Sequence, residues 1–154
     1  MKYSHTKHYK YKLEEIEVTE LKILNVDFKT PYMELWTNGM LTINRGYAWN
    51  GSSVPFKKTI FVLSLSLWDC DKYCKIASLV HDALCQAMRE GLLSKDHKYQ
   101  ADLLYKEMCI KGGMREWFAD KRFWALRKFG DPFIEPEKHP RNKIYEFLEP
   151  QQKP

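Results

Sequence analysis

The chain has 154 residues, 44% of them apolar, and a formal net charge of +5. That length supports one domain with its own core and is too short to expect two. The charge is modest and both signs are interspersed, which permits weak attraction to polyanions without requiring it. No apolar run reaches the roughly 18 residues of a membrane-spanning helix; the longest, TIFVLSLSLW, is interrupted by serines. The basic start MKYSHTKHYKYK leads into LEEIEV, not an apolar segment, so no secretory signal and a cytoplasmic location are expected.

Residues 9–45 contain short runs, KLEEIEV, LKILNV, YMELWT and MLTINR, several of which alternate apolar with polar positions as half-buried strands do. Between two of them, Thr37-Asn38-Gly39-Met40 predicts a hairpin, with Asn38-Gly39 supplying the two positive φ values of a type I′ turn. The turn AWNGSSVP, residues 48–55, comes next. Gly51 permits a tight bend, Pro55 fixes the exit and Trp49 can anchor the turn to the core. Trp49, Asn50, Gly51 and Ser52 are therefore predicted binding residues, presenting an amide and hydroxyls as a polar lid over the next helix.

After Pro55 the period changes. LWDCDKYCKIASLVHDALCQAMREG carries small or apolar residues at Cys74, Ala77, Ser78, Leu84 and Cys85 with His81 on the same face, and Gly91 is placed to end the helix. A second helix is predicted from the cap Ser94 to Gly112-Gly113, and a third to Gly130. In the third, Arg115, Lys121, Arg122, Arg127 and Lys128 alternate with Trp117, Phe118, Phe123 and Trp124. Such interleaving can bind single-stranded nucleic acid, but near-helical spacing favours reading the aromatics as core and the charges as the solvated face. Residues 131–154 carry five of the seven prolines and read as an extended tail. Strands first and helices afterwards predict an α+β domain over residues 1–130: N-terminal antiparallel strands with a hairpin, packed on a bundle of about three helices.

The four cysteines do not form a disulfide framework, because Cys70, Cys74 and Cys85 fall on one predicted helix and Cys109 on the next. Three thiols along one helix cannot surround a zinc ion, so they are read as reduced and packed. The chemistry-bearing residues are His81 and Asp82, adjacent within an apolar helical turn. Neighbouring helical positions diverge by about 100°, yet both can reach one cleft edge, and a buried carboxylate needs a partner. A divalent metal is one possible partner, held by His81, Asp82 and Asp102. Hydrogen bonding to the 50–53 turn is the other. The His-Asp doublet alone does not make the tetrad of His-Asp metal phosphohydrolases, since His5 and His8, the only upstream histidines, lie in the N-terminal arm.

Taken together, GYAWNGSSVP, ASLVHDALCQ and QADLLY resemble the motifs of a family of small phage and prophage proteins catalogued as domain of unknown function 1353. The resemblance covers residues 46–130 and implies the shared polar set Asn50, Gly51, Ser53, His81, Asp82 and Asp102. The chain carries Asn50 where the family often has Asp, Ser52 where Ala is usual and Tyr105 where Phe is common. The resemblance implies a phage setting, hence the host-cell cytoplasm, but supplies no settled activity. The lack of a long apolar run disfavours a membrane, and the modest charge and core reading of the aromatics disfavour nucleic acid. An accessory protein with a phage or host protein as partner is expected. Its polar cluster would then serve a structural or interaction role. The alternatives are a small metal-dependent or acid/base hydrolase, and a nucleic-acid-binding module built on residues 115–128. In the hydrolase, His81 is ligand or base, Asp82 ligands or orients the imidazole, Asp102 adds a ligand and Ser53 is a possible nucleophile.

Overall fold

Alternating side chains set the architecture. The computed structural model describes residues 1–51, 71–130 and 134–135. Seven short strands come first: β1 (Tyr3–Ser4), β2 (Tyr11–Leu13), β3 (Glu17–Glu20), β4 (Phe28–Lys29), β5 (Met33–Leu35), β6 (Met40–Ile43) and β7 (Ala48–Trp49). They form two antiparallel sheets, ordered β1-β2-β7 and β3-β6-β5-β4. Three helices come after them: α1 (Asp71–Arg89), α2 (Lys98–Lys111) and α3 (Glu116–Phe129), with a short 3₁₀ turn at Lys95–His97 before α2. This is the α+β arrangement expected from the sequence. Ser52, Ser53, Pro55, Cys70 and nearly all of the proline-rich tail lie outside the described residues.

Period-2 patterning decides which face of the strands is buried. Leu13, Met33, Leu35, Leu41 and Ile43 are all within 1% of complete burial, and they meet Leu79, Val80, Leu84 and Met88 of α1 in one cluster. A second cluster of Cys74, Ala77, Tyr105, Cys109, Met114 and Ala119 joins the three helices. Cys74, Cys85 and Cys109 are free and buried, as read from the sequence. The adjacent Cys74 and burial push the Cys109 thiol pKa well up, so it packs as a neutral apolar group.

The β5–β6 hairpin lies where Asn38-Gly39 places it, but the turn is of another type. Trp36 and Met40 flank a three-residue loop, with the Met40 carbonyl accepting from the Trp36 amide and the Trp36 carbonyl from the Gly39 amide. Only Gly39 has positive φ, at +85°. The geometry is therefore a type I turn on Thr37-Asn38 with Gly39 in the bulge, in place of the expected type I′ turn. The Asn38 side chain accepts from the Met40 amide, holding Asn38 right-handed and moving the left-handed position one residue on.

Helix α1 ends as the sequence predicts: the Gly91 and Leu92 amides bond back to Met88 and Ala87 in a Schellman pattern. Ser94 caps the 3₁₀ turn by accepting from the Asp96 amide. Gly113 and Met114 close α2 onto Ile110 and Cys109 in the same way.

The third helix departs from expectation. Its buried residues are Ala119 and Arg122, whereas Trp117 and Trp124 are 50% and 57% exposed. The tryptophans are not on its core face, whereas Phe118 is half-buried and packs against the second cluster as expected. Small Ala119 lets α3 approach, and Arg122 Nε donates to Tyr105 Oη at 2.9 Å, so a cation does the docking that rings were expected to do. Because Leu84 is wholly buried between sheet and helices, Leu84→Ala is expected to cost about 2–5 kcal/mol in a urea unfolding measurement.

Candidate functional site

Trp49 is 2% exposed, and its Nε1 donates to Ser78 Oγ of α1 at 3.2 Å, so the ring anchors the turn as predicted. The next two residues, Asn50 and Gly51, sit elsewhere on α1 than expected. Gly51 is buried with φ +71°, and a side-chain carbon there would come within 2.8 Å of the Tyr11 ring and 3.3 Å of the Asp71 carboxylate. Asp71 in turn accepts from Tyr11 Oη at 2.8 Å and from Lys10 Nζ. Burial opposes the charge on Lys10, but the bonds and charges of Asp71 and Tyr11 together outweigh it and hold Lys10 above its ordinary pKa. Around them Lys75 Nζ lies 3.9 Å over the Tyr3 ring and donates to Tyr3 Oη. Asn50 is exposed, its Oδ1 accepting from the Lys10 amide at 3.3 Å.

Ten residues separate Asp71 from His81, about 15 Å along the helix. Gly51 thus docks at the start of α1 with Asn50 beside it, and the expected lid over His81 and Asp82 is corrected for these two residues. Ser52 and Ser53 lie outside the described residues, so neither the binding role of Ser52 nor the nucleophile role of Ser53 has a described position.

The chemistry-bearing cluster is built on the three helices alone. Asp102 of α2 is completely buried, and His81 Nε2 lies 2.7 Å from its Oδ1. Lys98, one helical turn earlier and itself only 4% exposed, donates to both carboxylate oxygens at 2.6 Å. Arg127 of α3 adds a bond to Oδ2 at 3.2 Å. The Tyr105 ring packs edge-on against His81, with centroids 5.4 Å apart. Burial alone would lower the His81 pKa, but the neighbouring Cys85 and the Asp102 carboxylate outweigh it and raise it to about 10. Burial likewise opposes the charge on Asp102, and the bonds from His81 and Lys98 overcome it, holding the carboxyl below its ordinary range.

Asp82 stands apart from this network. It is half-buried on the Tyr47 side of α1, and burial pushes its carboxyl up to about 6 against the charges of His81 and Arg89, with no hydrogen bond helping. Tyr47, whose Oη donates to Gln86 at 3.0 Å, is raised well above its usual pKa by burial and by Asp82. The residue that orients the imidazole is Asp102, not Asp82.

The expected metal set does not fit. Both oxygens of Asp102 are occupied by Lys98, with His81 and Arg127 also bonded to it, so a divalent ion would face three cationic groups where ligands are required. No group of three or more His, Cys, Asp or Glu among the described residues could hold an ion. A thiol nucleophile at Cys85 fits no better. Its sulfur is 3.7 Å from Nδ1 and 3.9 Å from Nε2 of His81, and a straight N–H···S bond from one nitrogen would leave the other far more distant. A cleft of about 320 Å³ touches the outer edge of the network through Lys98, Tyr99 and Arg127, and neither His81 nor Asp82 lines it.

Lys98 and Arg127 were missed in the sequence. Lys98 had a readable signal: it precedes Asp102 by four residues and shares a helical stripe with Ala101, Tyr105 and Cys109. Arg127 had none, because its partner lies 25 residues away on another helix. The fold and cluster define an α+β domain closed by a buried ionic network. Compared with known proteins, the chain matches no family model, no curated protein and no solved structure.

Breaking a buried ion pair leaves the surviving charges unpaired, so Asp102→Asn is expected to cost about 3–5 kcal/mol of unfolding free energy. The pH dependence has a definite sign. A histidine whose folded pKa is raised stabilises the fold fully below its unfolded value near 6.5. The advantage of the wild type over His81→Gln should therefore shrink as pH climbs toward about 10, read by urea unfolding at several pH values.

Proposed function

We propose that this chain is a non-catalytic accessory or assembly protein of the phage type its motifs resemble, acting through its surface in the host-cell cytoplasm. One observation carries the non-catalytic reading: every bonding direction of the Asp102 carboxylate goes to a cation of the protein's own helices. A carboxylate so saturated has no lone pair to offer a metal, a water or a substrate. His81, 8% exposed and held protonated, lacks the free nitrogen of a general base. Fully bonded networks of this kind specify packing. Among the described residues no helix is long and apolar enough to cross a membrane.

A hydrolase reading draws on a different residue. Asp82, half-buried with its pKa near 6 and no hydrogen bond among the described residues, has the character of a general acid. Asp82→Asn separates the two readings. A carboxyl whose folded pKa is raised weakens the fold as pH rises from its unfolded value near 4. The accessory reading therefore expects the asparagine variant to melt higher than wild type at pH 8, with no such gain at pH 4, and to keep its interactions. A hydrolytic turnover present in the wild type and abolished in this folded variant would overturn the proposal.

A further inference from the structure

The third helix carries its two tryptophans on the outside, and their arrangement is specific. At 100° per residue, Trp117, Lys121, Trp124 and Lys128 fall within a sector of roughly 60°, opposite the side on which Ala119 and Arg122 are buried. The stripe runs about 16 Å along the helix, with the two indoles about 10 Å apart. Lys121 Nζ lies 5.0 Å from the Trp117 ring centroid, and Lys128 Nζ lies 4.8 Å from that of Trp124. All four residues are exposed. Among the described residues neither lysine is ion-paired, and of the two acids on α3, Asp120 is bound to Lys106, leaving Glu116 at the first turn. Arg127 over the Tyr99 ring extends the cationic aromatic surface along one flank.

We propose that this stripe is a binding surface for single-stranded nucleic acid, with Trp117 and Trp124 as stacking platforms for bases and Lys121 and Lys128 as phosphate contacts. The alternation selects this partner. An interfacial membrane helix segregates its rings from its cations onto opposite faces, and here they share one face. The centre of a protein interface is depleted in lysine, and here a lysine sits between the two tryptophans. A second copy of the chain would bring like charges together. A single strand offers what the stripe lacks, a row of negative charge with unpaired flat bases beside it. The surface names the partner for the interaction role proposed above, and its four stripe residues Trp117, Lys121, Trp124 and Lys128 lie outside the Asp102 network, so turnover would refute that role without touching binding here.

The test is fluorescence anisotropy of a labelled oligothymidylate of about 12 nucleotides with the full chain, at several salt concentrations. Trp117→Ala and Trp124→Ala are each expected to weaken binding about 5- to 100-fold. Lys121→Gln and Lys128→Gln should each reduce the log-log salt slope by about 0.7. Circular dichroism should report an intact fold for all four variants, since the side chains are exposed. Absence of binding at low salt, or binding that the tryptophan variants leave unchanged, overturns the proposal. Trp124-dependent binding to phosphatidylserine vesicles without oligonucleotide binding would assign the surface to a membrane. Trp124-dependent dimerisation in sedimentation without oligonucleotide binding would assign it to self-association. Either result overturns it.

Discussion

A carboxylate with no access to water must bring its own cations, and Asp102 brings them from three helices at once. Lys98 comes from its own helix, His81 from α1 and Arg127 from α3. Each bond is short range and directional, so α2 cannot slide or rotate against either neighbour without stranding a buried charge. Ion pairs taken out of water are seldom a large net source of stability, because desolvation offsets much of the attraction. Their effect here is to define which packing of the helices is allowed. The same bonds that fix the helices occupy both oxygens of the Asp102 carboxylate and Nε2 of the imidazole.

Helix α1 is common to everything else. Its apolar face receives both sheets through Leu79, Val80, Leu84 and Met88, its first turn receives the N-terminal arm at Asp71, and its middle meets the ionic network at His81. Trp49 bridges the two regimes, with its ring in the core and its indole nitrogen on Ser78. Charge at Asp71 is favourable at a helix N-terminus and is shared with Lys10 and Tyr11. Gly51 therefore has a structural reason to be glycine that needs no ligand.

Packing α3 through Ala119 and Arg122 inverts the usual assignment of faces. A small residue permits close approach, and the guanidinium reaches the Tyr105 hydroxyl while lying over the Tyr105 and Phe118 rings. With that side committed to the bundle, the tryptophans have nowhere to go but outward. Their exposure is a consequence of how the helix docks, and it turns what reads as core in the sequence into the most distinctive surface of the molecule.

Local chemistry was legible from residues alone. The strand pattern, the hairpin at Asn38-Gly39, the helix ends at Gly91 and Gly113, the Ser94 cap and the anchoring role of Trp49 each depend on groups a few residues apart or on a strong local period. The hairpin's turn type was not, since one Asn38 side-chain bond shifts the left-handed position to Gly39 alone. The apolar setting likewise marked His81 and Asp82 as groups that need partners, while Asp102 was singled out only by the motif resemblance. Which partners they take was decided only by the fold: Asp102 chose Lys98 and Arg127, Asp82 turned toward Tyr47, and Asn50 stayed at the far end of α1. Periodicity marks a helical face as different from its opposite, but only the neighbouring helix determines which of the two is buried. That is why α3 could be foreseen as a helix and not as one with its tryptophans in water.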